Sequence, residues 1–350
     1  MVASSILPTL VSAVAAGPLA CVPQKPTCAA PNGNFTVNEA GLYPENADFD
    51  PSRCVTYISN LYKNTVTAYN AAEDRVDKII TIDKISGVPA FHVSGVQRDV
   101  LHDKLTISAN AGAAFDTNGA DVSGDNVLVQ YDLVRGEVEW TKNLTSVSNG
   151  QYGGFQDVEH DKDGNSYVIG TFPSSIVKVT ADGKTATEWF RGDATNTTIH
   201  GFTGIAAYNG ARNVLVADGE RGQIVRFDLA ADKGVPVHVP LQAVEEPIGA
   251  NLDGAYLPPL YKDTVLLVSD SARGTIVLRS QDGKWESAEK LGEVANALGA
   301  EGGSSVTTVQ IADRIYAVTD WFGDNSPEIG LNRTAFPFHD ITDAINKLLV

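Results

Sequence analysis

Residues 213–228 read NVLVADGERGQIVRFD, and residues 264–280 read TVLLVSDSARGTIVLRS. Each is a run rich in Val, Ile and Leu that closes on an acidic residue, then a turn built on Arg-Gly, then a second such run. Val and Ile suit a pleated, half-buried surface, and glycine supplies the turn between two strands. Four further stretches carry the same grammar: CVTYISNLYKNTVTAYN (54–70), KLTISANAG (104–112), NSYVIGTFPSSIVKVT (165–180) and RIYAVTDWFGDN (314–325). Aligned on Ser59, Ser108, Gly170, Ala217, Ser269 and Thr319, the units are spaced by 49, 62, 47, 52 and 50 residues. A period near fifty, with several short strands per unit, is the signature of propeller blades. The expected fold is therefore all-β, a six-bladed β-propeller. An insertion rich in Gly, Asn and Asp, GAAFDTNGADVSGDN at 112–126, explains the long second interval. Only DITDAINKLLV (340–350) and GEVANALG (292–299) read as helical.

Composition sets outer bounds. The chain has 350 residues, 43% hydrophobic and 20% charged, which suits a folded domain with a sizeable core. We read one propeller domain over 40–350, an N-terminal extension over 21–39 and a signal peptide over 1–20. The leader is indicated by the apolar stretch Ile6 to Ala16 and by small residues at Ala13 and Ala15, although no Lys or Arg precedes them. Sequons at Asn34, Asn143, Asn196 and Asn332 fit the same secretory or secreted localisation. Cys21, Cys28 and Cys54 allow one disulfide, Cys28–Cys54 or Cys21–Cys54, and no C-x-x-C pair offers a zinc site. A formal charge of −17 without clustered bases argues against nucleic acid and anionic membrane as partners.

Rotational repetition brings the residues just ahead of each innermost strand to one end of the central channel. Here those positions offer Glu45 in YPEN, Gln97 and Asp99 in SGVQRD, Gln156 and Asp157 in GGFQD, Thr203 in HGFTG, Asp253 in NLDG, and Ser304 with Ser305 in EGGSS. His200 stands at the head of its stretch, and Phe155 and Trp321 are candidates for an apolar wall. The remaining histidines, His92, His102, His160, His238 and His339, read as surface or core residues. A propeller channel lined by polar groups and water alone is the plain structural alternative. The chain has no G-x-S-x-G, no G-x-G-x-x-G and no P-loop, and DKDGN at 161–165 reads as a hairpin turn.

Pro44-Glu45 and Asp253-Gly254 resemble the gluconolactonase and regucalcin (SMP-30) superfamily of six-bladed propellers, over roughly residues 40 to 325. That resemblance implies a divalent cation held by Glu45, an Asn of blade four and Asp253. This chain has Thr203, within FTGIA, in place of the Asn. No cofactor is therefore expected, and any bound cation would fall to Glu45 and Asp253. LYPENADFDPSRC (42–54), GGFQDVEHD (153–161) and LDGAYLPPLY (252–261) resemble more closely a small fungal family of trichothecene toxin gene clusters. The resemblance implies a role in building a tricyclic sesquiterpenoid, by closing its oxygen-containing pyran ring without redox chemistry.

The enzyme reading assigns acid–base roles to Glu45, Asp157 and Asp253, with Asp99 in reserve. Substrate contacts then fall to Gln97, Asp99, Phe155, Gln156, His200, Thr203, Ser304 and Trp321. The partner is a small terpenoid and the protein a monomer. Two alternatives stand beside it: a secreted ligand-binding propeller, and a metal-dependent lactonase or hydrolase of SMP-30 type.

Overall fold

A computed structural model of the chain describes residue 1 and residues 28–242 and 246–350. The expected signal peptide and Cys21 lie outside the described residues. Six sheets form the six blades. Their innermost strands are Ala47–Asp50, Phe91–Asp99, Gly153–His160, Phe202–Tyr208, Leu252–Tyr256 and Ser304–Ile311. Neighbouring strands within each blade are antiparallel, except for Leu241–Gln242, which adds a short parallel edge to blade five.

The apolar side chains of the period-fifty pattern sort into clusters between adjacent blades. Val93, Leu105 and Ile107 meet Val66 and Ile80 between blades one and two. Leu215, Ile224, Leu266 and Leu278 do the same between blades four and five. Burial on both faces of each sheet explains why the strands read as nearly continuous apolar runs rather than as strict alternation.

The ring closes with a strand from the chain's beginning. Phe35–Val37 pairs with Phe336–Asp340 as the outermost strand of blade six, with Phe35 opposite Phe338. The expected extension over 21–39 is thus corrected at its end, because three of its residues belong to the ring. A three-residue strand is too short to announce itself by pattern, and its register exists only once blade six is built. The Cys28–Cys54 disulfide anchors the segment ahead of it to blade one.

The C-terminal expectation holds as the helix Thr342–Leu348. The expected helix over 292–299 does not form: Ala288–Ala295 is the fourth strand of blade five. Its residues pair with Gly274–Arg279, and tertiary pairing overrides the weak helical preference of Glu293, Val294 and Ala295. Among the described residues no helix is long and apolar enough to cross a membrane. The four sequon asparagines are exposed.

Candidate functional site

Five of the six innermost strands carry a register shift near their beginning: between Val93 and Val96, Phe155 and Asp157, Phe202 and Gly204, Leu252 and Ala255, and Ser305 and Thr307. A bulge inserts an extra residue, bends the strand and re-aims a side chain. It also lets the strands approach closely. A Cβ on Gly204 would lie 2.2 Å from the Ala255 nitrogen, and one on Gly254 would lie 2.7 Å from the Val306 oxygen.

At this end of the channel lies a cavity of about 980 Å³. It is lined by polar groups, among them Glu45, Gln156, Asp253, Ser271 and Ser304, and by the rings of Tyr62, His92, Phe115, Phe172 and His200. Tyr62 leans edge-on against His92 with ring centres 5.2 Å apart, and Phe115 meets Phe172 in the same way at 5.2 Å. Phe115 belongs to the insertion, whose Ala113–Asp116 turn of helix reaches over the cavity with Asp116 and Asn118.

The carboxyl groups of this region are unusual in their protonation. Burial pushes Glu45 well above the usual carboxylate range, and the charges of Asp253, Asp320 and Asp157 push it further. Glu45 Oε2 is shut away from water without a hydrogen-bond partner. Burial likewise carries Asp253 up to about 8, opposed by the Ser271 hydroxyl, which donates to its Oδ2 at 3.0 Å. Asp157 is carried to about 7 by burial. It accepts from Asn46 Nδ2 at 3.0 Å, from the Val158 nitrogen at 2.9 Å and from the Ile205 nitrogen at 3.2 Å. Asp320, fully buried at the end of its strand, is raised by burial first and then by Asp324 and Asp253.

The structure brings together Glu45, Gln156, His200, Asp253 and Ser304 as cavity-lining residues. Asp157 and Thr203 lie buried in the inter-strand network: Gln156 Nε2 donates to the Thr203 carbonyl, and Thr203 Oγ1 to the Asp253 carbonyl. Four expectations are corrected. Gln97 pairs with Thr106 toward the far end of its strand, and Asp99 binds His102 Nδ1 there at 2.7 Å. The innermost strand begins earlier, at Phe91, so His92 and Ser94 are the residues that blade two sends to the cavity. Phe155 is buried between blades two and three. Trp321 is buried between blades six and one, its ring 4.2 Å beneath the Arg333 guanidinium.

Asp320, Ser271, Tyr62, His92 and Asp116 were not singled out as site residues by sequence reading. The run of second strands ending in Asp218, Asp270 and Asp320 was a usable signal for the first. Ser271, Tyr62 and Asp116 come from turns and an insertion whose placement the repeat does not encode, and His92 stands near the beginning of an innermost strand that starts earlier than the repeat suggests.

A hard divalent cation wants six or more oxygen ligands. The Thr203 hydroxyl is turned to a backbone carbonyl, and no group of three His, Cys, Asp or Glu side chains able to hold a metal occurs among the described residues. With its hydroxyl so turned, Thr203 does not complete the oxygen set such an ion needs beside Glu45 and Asp253.

Comparison with known proteins places this geometry in a family. The Mal s 1 allergenic protein-like family matches residues 25–276. Trichothecene biosynthesis protein 14 of Trichoderma arundinaceum is 32% identical over 335 residues, covering 91% of this chain and 90% of that protein. Core trichothecene cluster protein 14 of Fusarium sporotrichioides is 32% identical over 345 residues, covering 91% and 87%. Among solved structures, the allergen Mala s 1 of Malassezia sympodialis superposes with a TM-score of 0.76 at 22% identity, over 89% of this chain and 96% of that one. A gluconolactonase of Xanthomonas campestris shares the fold with a TM-score of 0.54 at 13% identity, over 88% and 89%. The chain is a six-bladed β-propeller and belongs to the Mal s 1 allergenic protein-like family, with trichothecene-cluster proteins among its relatives.

Proposed function

We propose that the protein acts in trichothecene biosynthesis, closing an oxygen heterocycle on a hydroxylated sesquiterpenoid by acid-assisted loss of water. The observation that carries this reading is Glu45, a carboxyl group raised by burial in a cavity that aromatic rings also line. A neutral carboxylic acid at neutral pH can protonate a departing hydroxyl, as carboxyls in apolar surroundings do elsewhere. The aromatic wall suits the hydrocarbon skeleton, and Asp253, Ser271 and Ser304 suit its hydroxyls. The names of the two fungal relatives support the substrate class.

In this reading Glu45 is the acid, and Asp253, held by Ser271, orients a substrate hydroxyl. Asp157 supports the network through Asn46 and the Val158 and Ile205 nitrogens. General acid help contributes about 10²–10⁴-fold, and holding the attacking hydroxyl against the reacting carbon contributes more. The test is incubation of purified protein with the ring-open polyol, following ring closure by mass spectrometry. Closure no faster than in buffer returns the cavity to a ligand-binding role.

A further inference from the structure

With Glu45 as the acid, the reaction still needs a base. Asp253 is carried to about 8 and so holds its own proton at neutral pH, while the Asp157 oxygens are occupied by three donors. An imidazole also lines the cavity. His92 lies on the innermost strand of blade two, just ahead of the bulge, and lines the cavity although only 6% exposed.

Its surroundings fix it from three sides. The Tyr62 ring meets it edge-on at 5.2 Å. The backbone at Gly112 packs so closely that a Cβ there would lie 2.8 Å from His92 Nε2. Asp116 Oδ2, at the end of the Ala113–Asp116 turn of helix, stands 4.0 Å from the same nitrogen. The insertion thus carries both the glycine that admits the ring and the carboxylate that faces it.

We propose that His92, backed by Asp116, is the general base of this site, taking the proton from the attacking hydroxyl while Glu45 protonates the departing one. This assignment rests on the ring-closure reading above. Burial holds the imidazole below its ordinary range, against the smaller opposing pull of Asp116, so the ring is neutral and able to accept. The step balances without a redox partner. The attacking O–H bond breaks to give imidazolium, a C–O bond forms, and the C–O bond to the departing hydroxyl breaks. The Glu45 proton leaves with that oxygen as water. Imidazolium and the Glu45 carboxylate then reset by exchanging one proton through solvent. As the imidazolium forms, Asp116 is the nearest carboxylate to stabilise it.

Turnover of the ring-open polyol is to be measured for wild type, His92→Ala, His92→Gln, Asp116→Asn and Glu45→Gln, each checked for wild-type circular dichroism. Loss of at least 100-fold in kcat for both His92 variants is expected, with KM changed less than threefold, and at least tenfold for Asp116→Asn. Added imidazole should restore part of the His92→Ala rate and none of the Glu45→Gln rate, which a packing role for His92 does not predict. Folded His92→Ala that keeps wild-type turnover, or that loses it without any imidazole rescue, overturns the assignment. In either case a deficient Glu45→Gln leaves the ring-closure reading standing. Full turnover by Glu45→Gln overturns that reading instead. If His92→Ala does not fold, the rate of His92→Gln decides.

Discussion

Asn46 Nδ2 donates to Asp157 Oδ1 at 3.0 Å, joining blade one to blade three across the channel although 111 residues separate them in the chain. Because the same carboxyl group also accepts the Val158 and Ile205 nitrogens, Asp157 ties the inner strands of blades one, three and four. An amide at this position keeps one acceptor and turns a donor toward a donor. Asp157→Asn is therefore expected to lower stability by about 1–3 kcal/mol, the cost of stranding a buried polar group. Urea unfolding checks this, and an unchanged midpoint would remove Asp157 from the framework.

Glu45→Gln and Asp253→Asn should behave differently. Glu45 Oε2 has no partner to lose, and an amide copies the shape of the neutral acid. Both variants should fold, and both should lose at least tenfold in turnover, Glu45→Gln because an amide cannot deliver a proton and Asp253→Asn because the amide changes the donor and acceptor that orient the substrate hydroxyl. The paired measurement is steady-state kinetics beside a melting curve.

The raised carboxyls also set a direction for stability against pH. In the unfolded chain these groups titrate near 4, whereas Asp253 and Glu159 titrate near 8 in the folded one and Asp157 near 7. The folded chain therefore holds more protons in between, and stability falls as pH rises through that window. His160, held down to about 4 by burial, works in the opposite sense up to its ordinary range near 6.5. The net fall should thus be clearest from about pH 6.5 to 8. Asp253→Asn should flatten the slope and be more stable than wild type at pH 8, by about 1–3 kcal/mol. Melting temperatures across that range give the answer, and parallel profiles for the two proteins would contradict it.

Close approach of the inner strands makes a sharp packing prediction. Gly254→Ala places a methyl 2.7 Å from Thr307 Oγ1 and the Val306 oxygen, and the latter is backbone that cannot swing away. Loss of about 3 kcal/mol or more is expected, at the upper end of overpacking effects. Gly323→Ala, with nothing within 4 Å of the added carbon, is the control and should leave soluble yield and melting temperature unchanged.

Phe115 reaches the cavity from the insertion and touches Phe172. Phe115→Ala should raise KM several-fold and shift the melting temperature little, because the residue stands on a surface turn outside the blade cores. Competition between substrates that differ in ring size would show the widened pocket. An unchanged preference would assign the wall to Phe172 and Tyr62 alone.

The repeat at intervals near fifty, the hairpin turns and the Val/Ile runs were sufficient for a six-bladed ring, because blade formation depends on local patterning repeated along the chain. Glu45 and Asp253 were legible for the same reason: both stand in short motifs at equivalent places in their repeats. Sequence spacing failed at blade two. The innermost strand of blade two already begins at Phe91, so Gln97 and Asp99 fall toward its far end while His92 faces the cavity, and a bulge follows at Ser94–Gly95. A bulge answers to the neighbouring strand, and no local pattern records where that neighbour presses. The strand Phe35–Val37, the burial of Phe155 and Trp321, and the meeting of His92 with Asp116 were likewise decided only when distant segments packed together. The raised carboxyls belong to the same class. Their residue types are written in the sequence, but the desolvation and the like charges that hold their protons exist only inside the assembled channel.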